Sequence, residues 1–187
     1  MASALRTPYT SEADYLASER IAQEKHEYAA GQVFAMSGAS IRHNQISGNA
    51  YLALRAKAKG CRVAIADVKF KGDKVYYYPD VMVVCEPSED EYLETRPCLI
   101  IEVLSDSTEA IDRGEKLHHY QNVPELQAYL IVAQKERRVD VFRRANRFWT
   151  FESIAESGEI ALGCPDMTLT LDALYEGVVI GGEGLGR

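Results

Sequence analysis

The chain has 187 residues, 47% of them hydrophobic and 26% charged, with a formal net charge of −7. That length suits one domain able to bury a substantial core without staples, and no apolar run approaches the ~20 residues that cross a bilayer. The acidic total weighs against a protein that grips phosphates over its whole surface, because such proteins are basic on at least one face.

Residues 1–9 carry one arginine and no apolar stretch, so they do not read as a secretory signal, and the expected location is cytoplasmic. Thr10 or Ser11 can cap a first helix reaching about Ala22, with Glu12 and Asp14 near its positive end. Residues 27–29 and 32–36 read as two short strands about an Ala30-Gly31 turn. After the loop at residues 37–40, a helix is expected from Ile41 to Lys59, with Ile46, Ala50, Ala53 and Leu54 on one face and Gly60 as its stop.

The period then changes. Residues 62–70 alternate as a strand, Gly72-Asp73 turns it, and residues 75–84 form a second strand rich in tyrosine and valine. An acidic loop at 86–96 leads to a third strand at 98–105. Asp106 with Glu109 resembles a capping pair for a helix to about Asn122, stopped by Pro124. Strands follow at 127–133, 138–143 and 148–153, with a short helical turn in 169–174 and a mobile glycine-rich tail at 181–184. The order predicts an α/β (α+β) chain with a mixed sheet flanked by helices. It divides into an N-terminal extension (1–40), a core (about 41–145) and C-terminal strands and tail (146–187) of one domain. Cys61, Cys85, Cys98 and Cys164 show no CxxC pairing, and three lie in apolar contexts. They read as buried free thiols of a reducing compartment rather than as disulfides or a zinc site.

Two carboxylates stand in apolar strands: Asp80 in Tyr76-Tyr77-Tyr78-Pro79-Asp80-Val81, and Glu102 in Leu99-Ile100-Ile101-Glu102-Val103. A buried carboxylate must be paired or take up a proton. If the strands are antiparallel neighbours, opposed Cβ atoms lie about 5 Å apart. A divalent cation would compensate both charges, and a buried Arg or Lys would also serve. Lys116, four residues from Asp112 and from Tyr120 on one helix face, and Lys69, two residues from Asp67, are the lysines in range. Asp67 is also an outside candidate for a second metal. His43 reads as a structural hydrogen-bonding residue, His26 as exposed, and His118-His119 as a poor metal pair. Lys135, Arg137, Arg138, Arg143, Arg144 and Arg147 crowd one stretch. It reads either as a solvated hairpin or as a local phosphate-tracking patch with several of these side chains on one face.

Taken in order, Glu27-Tyr28-Ala29-Ala30-Gly31, His43, Tyr78-Pro79-Asp80-Val81, Ile101-Glu102-Val103-Leu104-Ser105, Asp112-Arg113-Gly114-Glu115-Lys116, Tyr120 and the Val178 region resemble the successive signatures of the Uma-two family. That family belongs to the PD-(D/E)XK nuclease superfamily. The resemblance implies a restriction endonuclease-like fold and Mg2+-dependent hydrolysis of DNA, with Mn2+ as a substitute metal. It implies Asp80 and Glu102 as metal ligands, Lys116 as the charge-stabilising lysine and Glu27 as a further acid of the site. Double-stranded DNA is the implied partner, and a homodimer the assembly suited to cutting both strands. The superfamily lysine stands two residues after its strand acid, on the same face. Here that position is Leu104, so Lys116 is the family-type replacement and Lys69 its competitor. Two other readings stay open: an inactive nucleic-acid-binding accessory protein of the same fold, or a structural domain with a buried ion-pair cluster.

Overall fold

A computed structural model describes residues 9–180; the tail at 181–184 and residues 1–8 lie outside them. Ser11 caps α1 (Glu12–Glu19), its hydroxyl accepting from the Asp14 N–H. β1 (His26–Ala29) and β2 (Gln32–Ala35) form a hairpin through Ala30 at φ 45° and Gly31 at φ 95°. Two successive positive φ values suit the right-handed twist of a two-residue hairpin. Ser40 caps α2 (Ile41–Lys57) by accepting from the His43 N–H, and the helix buries Ile46, Ala50 and Leu54.

Both strands expected at 62–70 and 75–84 are cut in two. The first becomes β3 (Arg62–Ile65) and β4 (Lys69–Lys71), interrupted at Ala66 with φ 52°. The second becomes β5 (Val75–Tyr77) and β6 (Val81–Val84), interrupted at Tyr78-Pro79-Asp80. Proline has no N–H to give to a ladder, and here the chain leaves one sheet for another. β7 (Leu93–Glu94) and β8 (Leu99–Val103) follow.

The expected helix before Pro124 is a composite of α3 (Glu109–Ile111), a π-helical turn (Asp112–Lys116) and α4 (Leu117–Gln121). The Asp106–Glu109 capping pair does not form: Asp106 pairs with Lys135, and Glu109 accepts from Arg113. β9 (Ala128–Val132), β10 (Arg138–Ala145) and β11 (Phe148–Ala155) complete the central strands. A hairpin that the sequence pattern did not announce, β12 (Glu159–Leu162) and β13 (Met167–Thr170), then leads into α5 (Leu171–Leu174).

The main sheet runs β11-β10-β9-β8-β6-β3, and a smaller sheet runs β2-β1-β5-β4-β7. β8 and β9 are parallel, the α3–α4 segment being their crossover, while the other neighbours in the main sheet are antiparallel. One face of the main sheet packs Val81, Val83, Leu99 and Ile101 against Ile46 and Leu54 of α2, with Leu169, Leu171 and Leu174 beyond. The other face packs Met82, Ile100, Tyr129 and Ile131 against Phe70, Val75 and Tyr77 of the smaller sheet and Tyr120 of α4. Alternation places Asp80 and Glu102 on this second face, in the seam between the two sheets.

The cysteines are a correction. They are not isolated thiols: Cys61 is joined to Cys85 and Cys98 to Cys164. The sequence shows no paired spacing because the four come from separate points of the fold.

Candidate metal centre and its lysine

β6 and β8 pair Val81 with Ile101 and Met82 with Ile100, so Asp80 and Glu102 are the next opposed residues. Each carboxylate is steered by the other strand. The Val103 N–H donates to Asp80 Oδ2 at 2.7 Å, and the Asp80 N–H donates to Glu102 Oε2 at 3.2 Å. His43 Nε2, from the first turn of α2, lies 3.1 Å from Asp80 Oδ2. Among the described residues no hydrogen bond engages Asp80 Oδ1, and this side chain is 19% exposed.

Glu102 is 3% exposed, and its Oε1 accepts from the Tyr120 hydroxyl at 2.9 Å and from Lys116 Nζ at 3.2 Å. The ammonium of Lys116 is shared three ways, lying also 3.0 Å from Glu27 Oε1 and 3.3 Å from Asp112 Oδ1. Asp112 and Lys116 begin and end the π-helical turn and both point inward. Such turns are uncommon inside helices and recur at functional sites. The turn is tied to the sheet by Arg113, which donates to Asp140 Oδ2 at 2.6 Å, and by the Tyr129 hydroxyl, which donates to the Asp112 carbonyl. Asp112 Oδ1 is close to the ammonium yet off the line of any donor, and remains a buried acceptor without a hydrogen bond.

The electrostatics follow from burial. Desolvation pushes Glu102 well above the usual carboxylate range; Lys116 opposes this, while Asp112, Asp80 and Glu27 add to it. Asp112 is raised for the same first reason, with Lys116 and Thr108 opposing. Burial acts to lower Lys116, but the charges of Glu102, Glu27 and Asp112 outweigh it and hold the ammonium well above its ordinary value. Burial likewise acts to lower His43, and its bond to Asp80 reverses the shift.

Asp80 Oδ1 and Glu102 Oε2, carboxylate oxygens from facing strands, are donors of the kind a hard cation takes. Of the residues singled out in the sequence, Asp80, Glu102, Lys116 and Glu27 are brought together. Lys69 and Asp67 are not. Ala66 ends β3 before them, Asp67 pairs with Lys25 at the surface, and Lys69 sits over the rings of Tyr15 and Tyr78 at 5.2 and 5.4 Å. Lys69 therefore belongs to the smaller sheet. The direct contacts of His43 with Asp80 and of Tyr120 with Glu102 had no signal in local spacing. His26 is partly buried, not exposed, with both its N–H and its ring held by Glu19.

The basic stretch does not form one face. Arg138 and Arg144 share a face of β10 with Asp140, and Arg143 points to the other side. Arg143 pairs with Glu152 and Arg137 with Asp172, while Arg144 donates to the carbonyls of Gln121, Val123 and Leu126 and stacks on Trp149. Lys135 and Arg138 instead border a groove of about 670 Å³, which is also lined by Arg42 and by three acids, Asp106, Glu109 and Glu136; Lys135 pairs with Asp106 and Arg138 with Glu136. The groove opens beside the α2 start that carries His43.

Known proteins resemble this chain in sequence and in fold. Residues 13–173 match the family Uma2, described as "Putative restriction endonuclease". The protein slr1290 of Synechocystis is 34% identical over 178 residues, covering 91% of this chain and 94% of that protein; sll1609 of the same organism is 32% identical over 164 residues, covering 82% and 93%. A crystal structure from Anabaena variabilis, described as a putative nuclease belonging to DUF820, superposes with a TM-score of 0.71. It is 15% identical and covers 89% of this chain and 98% of that one.

Proposed function

The chain belongs to the Uma2 family and has a restriction endonuclease-like fold, and from that premise we propose that it is a metal-dependent endonuclease hydrolysing DNA phosphodiester bonds. The observation that carries the reading is the opposition of Asp80 and Glu102 across β6 and β8, with Lys116 3.2 Å from Glu102. Asp80 and Glu102 would hold Mg2+, or Mn2+ in its place. A cation of that kind supplies Lewis-acid polarisation of the phosphodiester and acidifies a water. Lys116 places a compact positive charge where negative charge develops on the phosphoryl oxygens. His43 and the Val103 N–H keep Asp80 Oδ2 occupied, which leaves Oδ1 for ligation. Tyr120 fixes Glu102, and Glu27 holds Lys116 from the smaller sheet.

The groove lined by Arg42, Lys135 and Arg138 is the surface on which double-stranded DNA would approach the centre. Phosphate contacts from such residues position the duplex without reading its sequence. A homodimer would present two such centres to the two strands. One observation favours a different reading: Lys116 is 4% exposed and surrounded by three carboxylates, as in a structural ion-pair cluster. Nicking of supercoiled plasmid separates the two. Under the proposal, Mg2+ or Mn2+ supports nicking, EDTA abolishes it, and Asp80→Asn and Glu102→Gln lack it while remaining folded. A folded parent protein with no metal-dependent nicking would leave the structural reading.

A further inference from the structure

The four cysteines, far apart in sequence, meet at one place in the fold. Cys61 precedes β3, Cys85 follows β6, Cys98 precedes β8, and Cys164 lies in the turn between β12 and β13. In the β3–β6 ladder Arg62 opposes Val84, which makes Cys61 and Cys85 the next opposed residues. The Cys98 N–H donates to the Val83 carbonyl at 2.8 Å and so seats Cys98 beside Cys85. Cys85 Sγ lies 3.4 Å from Cys164 Sγ and 3.8 Å from Cys98 Sγ, and these three sulfurs all lie within 4.8 Å of one another.

A disulfide acts by closing its own loop and gains nothing from touching a second one. Here one sulfur of the Cys61–Cys85 pair contacts both sulfurs of the other pair. Four thiolates around a tetrahedral Zn2+, with Zn–S bonds near 2.3 Å, have sulfur–sulfur edges of about 3.8 Å. The contacts of Cys85 with Cys98 at 3.8 Å and Cys164 at 3.4 Å come near that spacing, and Cys61, bonded to Cys85, is the sulfur that reduction would have to bring in as the fourth ligand. We propose that in the reduced chain Cys61, Cys85, Cys98 and Cys164 form a structural tetrathiolate site for a soft divalent cation, Zn2+.

The placement gives the site a task. β12 and β13 form a two-stranded sheet of their own, and such a hairpin is marginal unless it is anchored. Cys164 in its turn would be bound to the ends of β3, β6 and β8 at once. This is the end of β6 and β8 remote from the carboxylates. Cys85 is five residues from Asp80 and Cys98 four from Glu102, or about 17 and 13 Å along the strands. Ligand softness separates the two sites: thiolates select Zn2+, and the carboxylates suit Mg2+. Binding would release the thiol protons and add its free energy to folding.

The test uses the full chain carrying Asp80→Asn and Glu102→Gln, purified without oxygen in the presence of a phosphine reductant and Zn2+. The expected result is one Zn2+ per chain, released as the four thiols are modified. The Co2+-loaded chain should show thiolate-to-cobalt charge transfer and tetrahedral d–d bands. Cys164→Ser should weaken Zn2+ binding about 100-fold or more, beyond what losing an outer-shell partner costs. If that variant does not fold, Cys61→Ser serves the same comparison. A folded chain with four free thiols and no bound metal would overturn the proposal, as would a Co2+ spectrum without charge transfer. So would a chain that, from the same preparation, weighs less by the four hydrogens that two disulfides remove.

Discussion

Replacing Lys116 by methionine tests the centre most directly, because methionine keeps most of the apolar stem and removes only the charge. Glu102, Glu27 and Asp112 would then face one another without their shared cation. Removing one partner of a buried ion pair costs about 3–5 kcal/mol, since the remaining charge is left without compensation. With a urea m-value of about 2 kcal/mol/M for a domain of this size, the midpoint should fall by roughly 2 M at pH 7. The pH dependence has a definite sign. Burial already holds Glu102 and Asp112 above their ordinary values, and losing Lys116 raises them further. A carboxyl whose folded-state pKa is raised stabilises below its unfolded value, and that contribution is lost as pH rises through the folded value. The deficit of Lys116→Met should therefore be largest at neutral pH and shrink toward pH 4–5. Urea titrations at pH 7 and pH 5 measure it. A midpoint shift below about 0.5 M at pH 7, or the same shift at both pH values, would refute the account of Lys116 as the counter-charge of a buried acid cluster.

Isothermal titration with Mn2+ should show a site in the parent chain that is lost in Asp80→Asn and in Glu102→Gln; unchanged binding in both would remove the metal assignment. Asp140 is pushed up by burial, but the Ser153 hydroxyl and the Arg113 guanidinium outweigh this and hold it below the usual range. Asp140→Asn should accordingly cost about 1–3 kcal/mol at pH 7. That cost should disappear as pH falls through the folded value of the parent, so a deficit independent of pH would contradict the pairing. In salt-dependent DNA binding, Arg42→Ala with Lys135→Ala should flatten the log–log slope, while Arg143→Ala should not, because Arg143 is on the other face of β10 and does not line the groove. Equal slopes for all three proteins would exclude the groove as the DNA path.

Much of the centre was legible because burying a carboxylate is costly wherever it occurs. Asp80 and Glu102 stood out as acids in apolar strands, and their opposition required only that the strands be antiparallel neighbours. The motif around Lys116 and Tyr120 supplied the helix. Other features could not be read, because tertiary packing overrode a local pattern or joined residues far apart in the chain. The alternation through residues 62–70 continues past Ala66, yet a positive φ there moves Lys69 and Asp67 out of the main sheet. The alternation through 75–84 crosses Pro79, where the chain changes sheets. Cys164 lies 66 residues from Cys98, a separation that no motif spacing bridges. The π-helical turn is a further case, since a regular helix and this one place Asp112 and Lys116 four residues apart alike.

The charge balance of the seam bears on the choice between the proposed metal site and a structural ion-pair cluster. Glu27, Asp80, Glu102 and Asp112 bring four carboxylates to Lys116 and His43. If all four were ionised and His43 protonated, four negative groups would face two positive ones, a difference equal to the charge of one divalent cation; without such a cation, burial drives Glu102 and Asp112 toward their neutral forms instead. A cluster built only for stability would close that gap with a second lysine or arginine, because unpaired buried charge is costly. Arg113, the nearest basic side chain on the π-helical turn, points instead to Asp140 and Glu109. The remaining imbalance falls on Glu102 and Asp112, both of which burial drives toward protonation, Asp112 Oδ1 having, among the described residues, only the Lys116 ammonium at 3.3 Å. A hard cation between Asp80 Oδ1 and Glu102 Oε2 would relieve both. It would lower the Glu102 pKa by its own charge and free part of Lys116 for the phosphate. If the seam holds a cation as proposed, a divalent cation should raise the melting temperature of the parent chain but not that of Asp80→Asn.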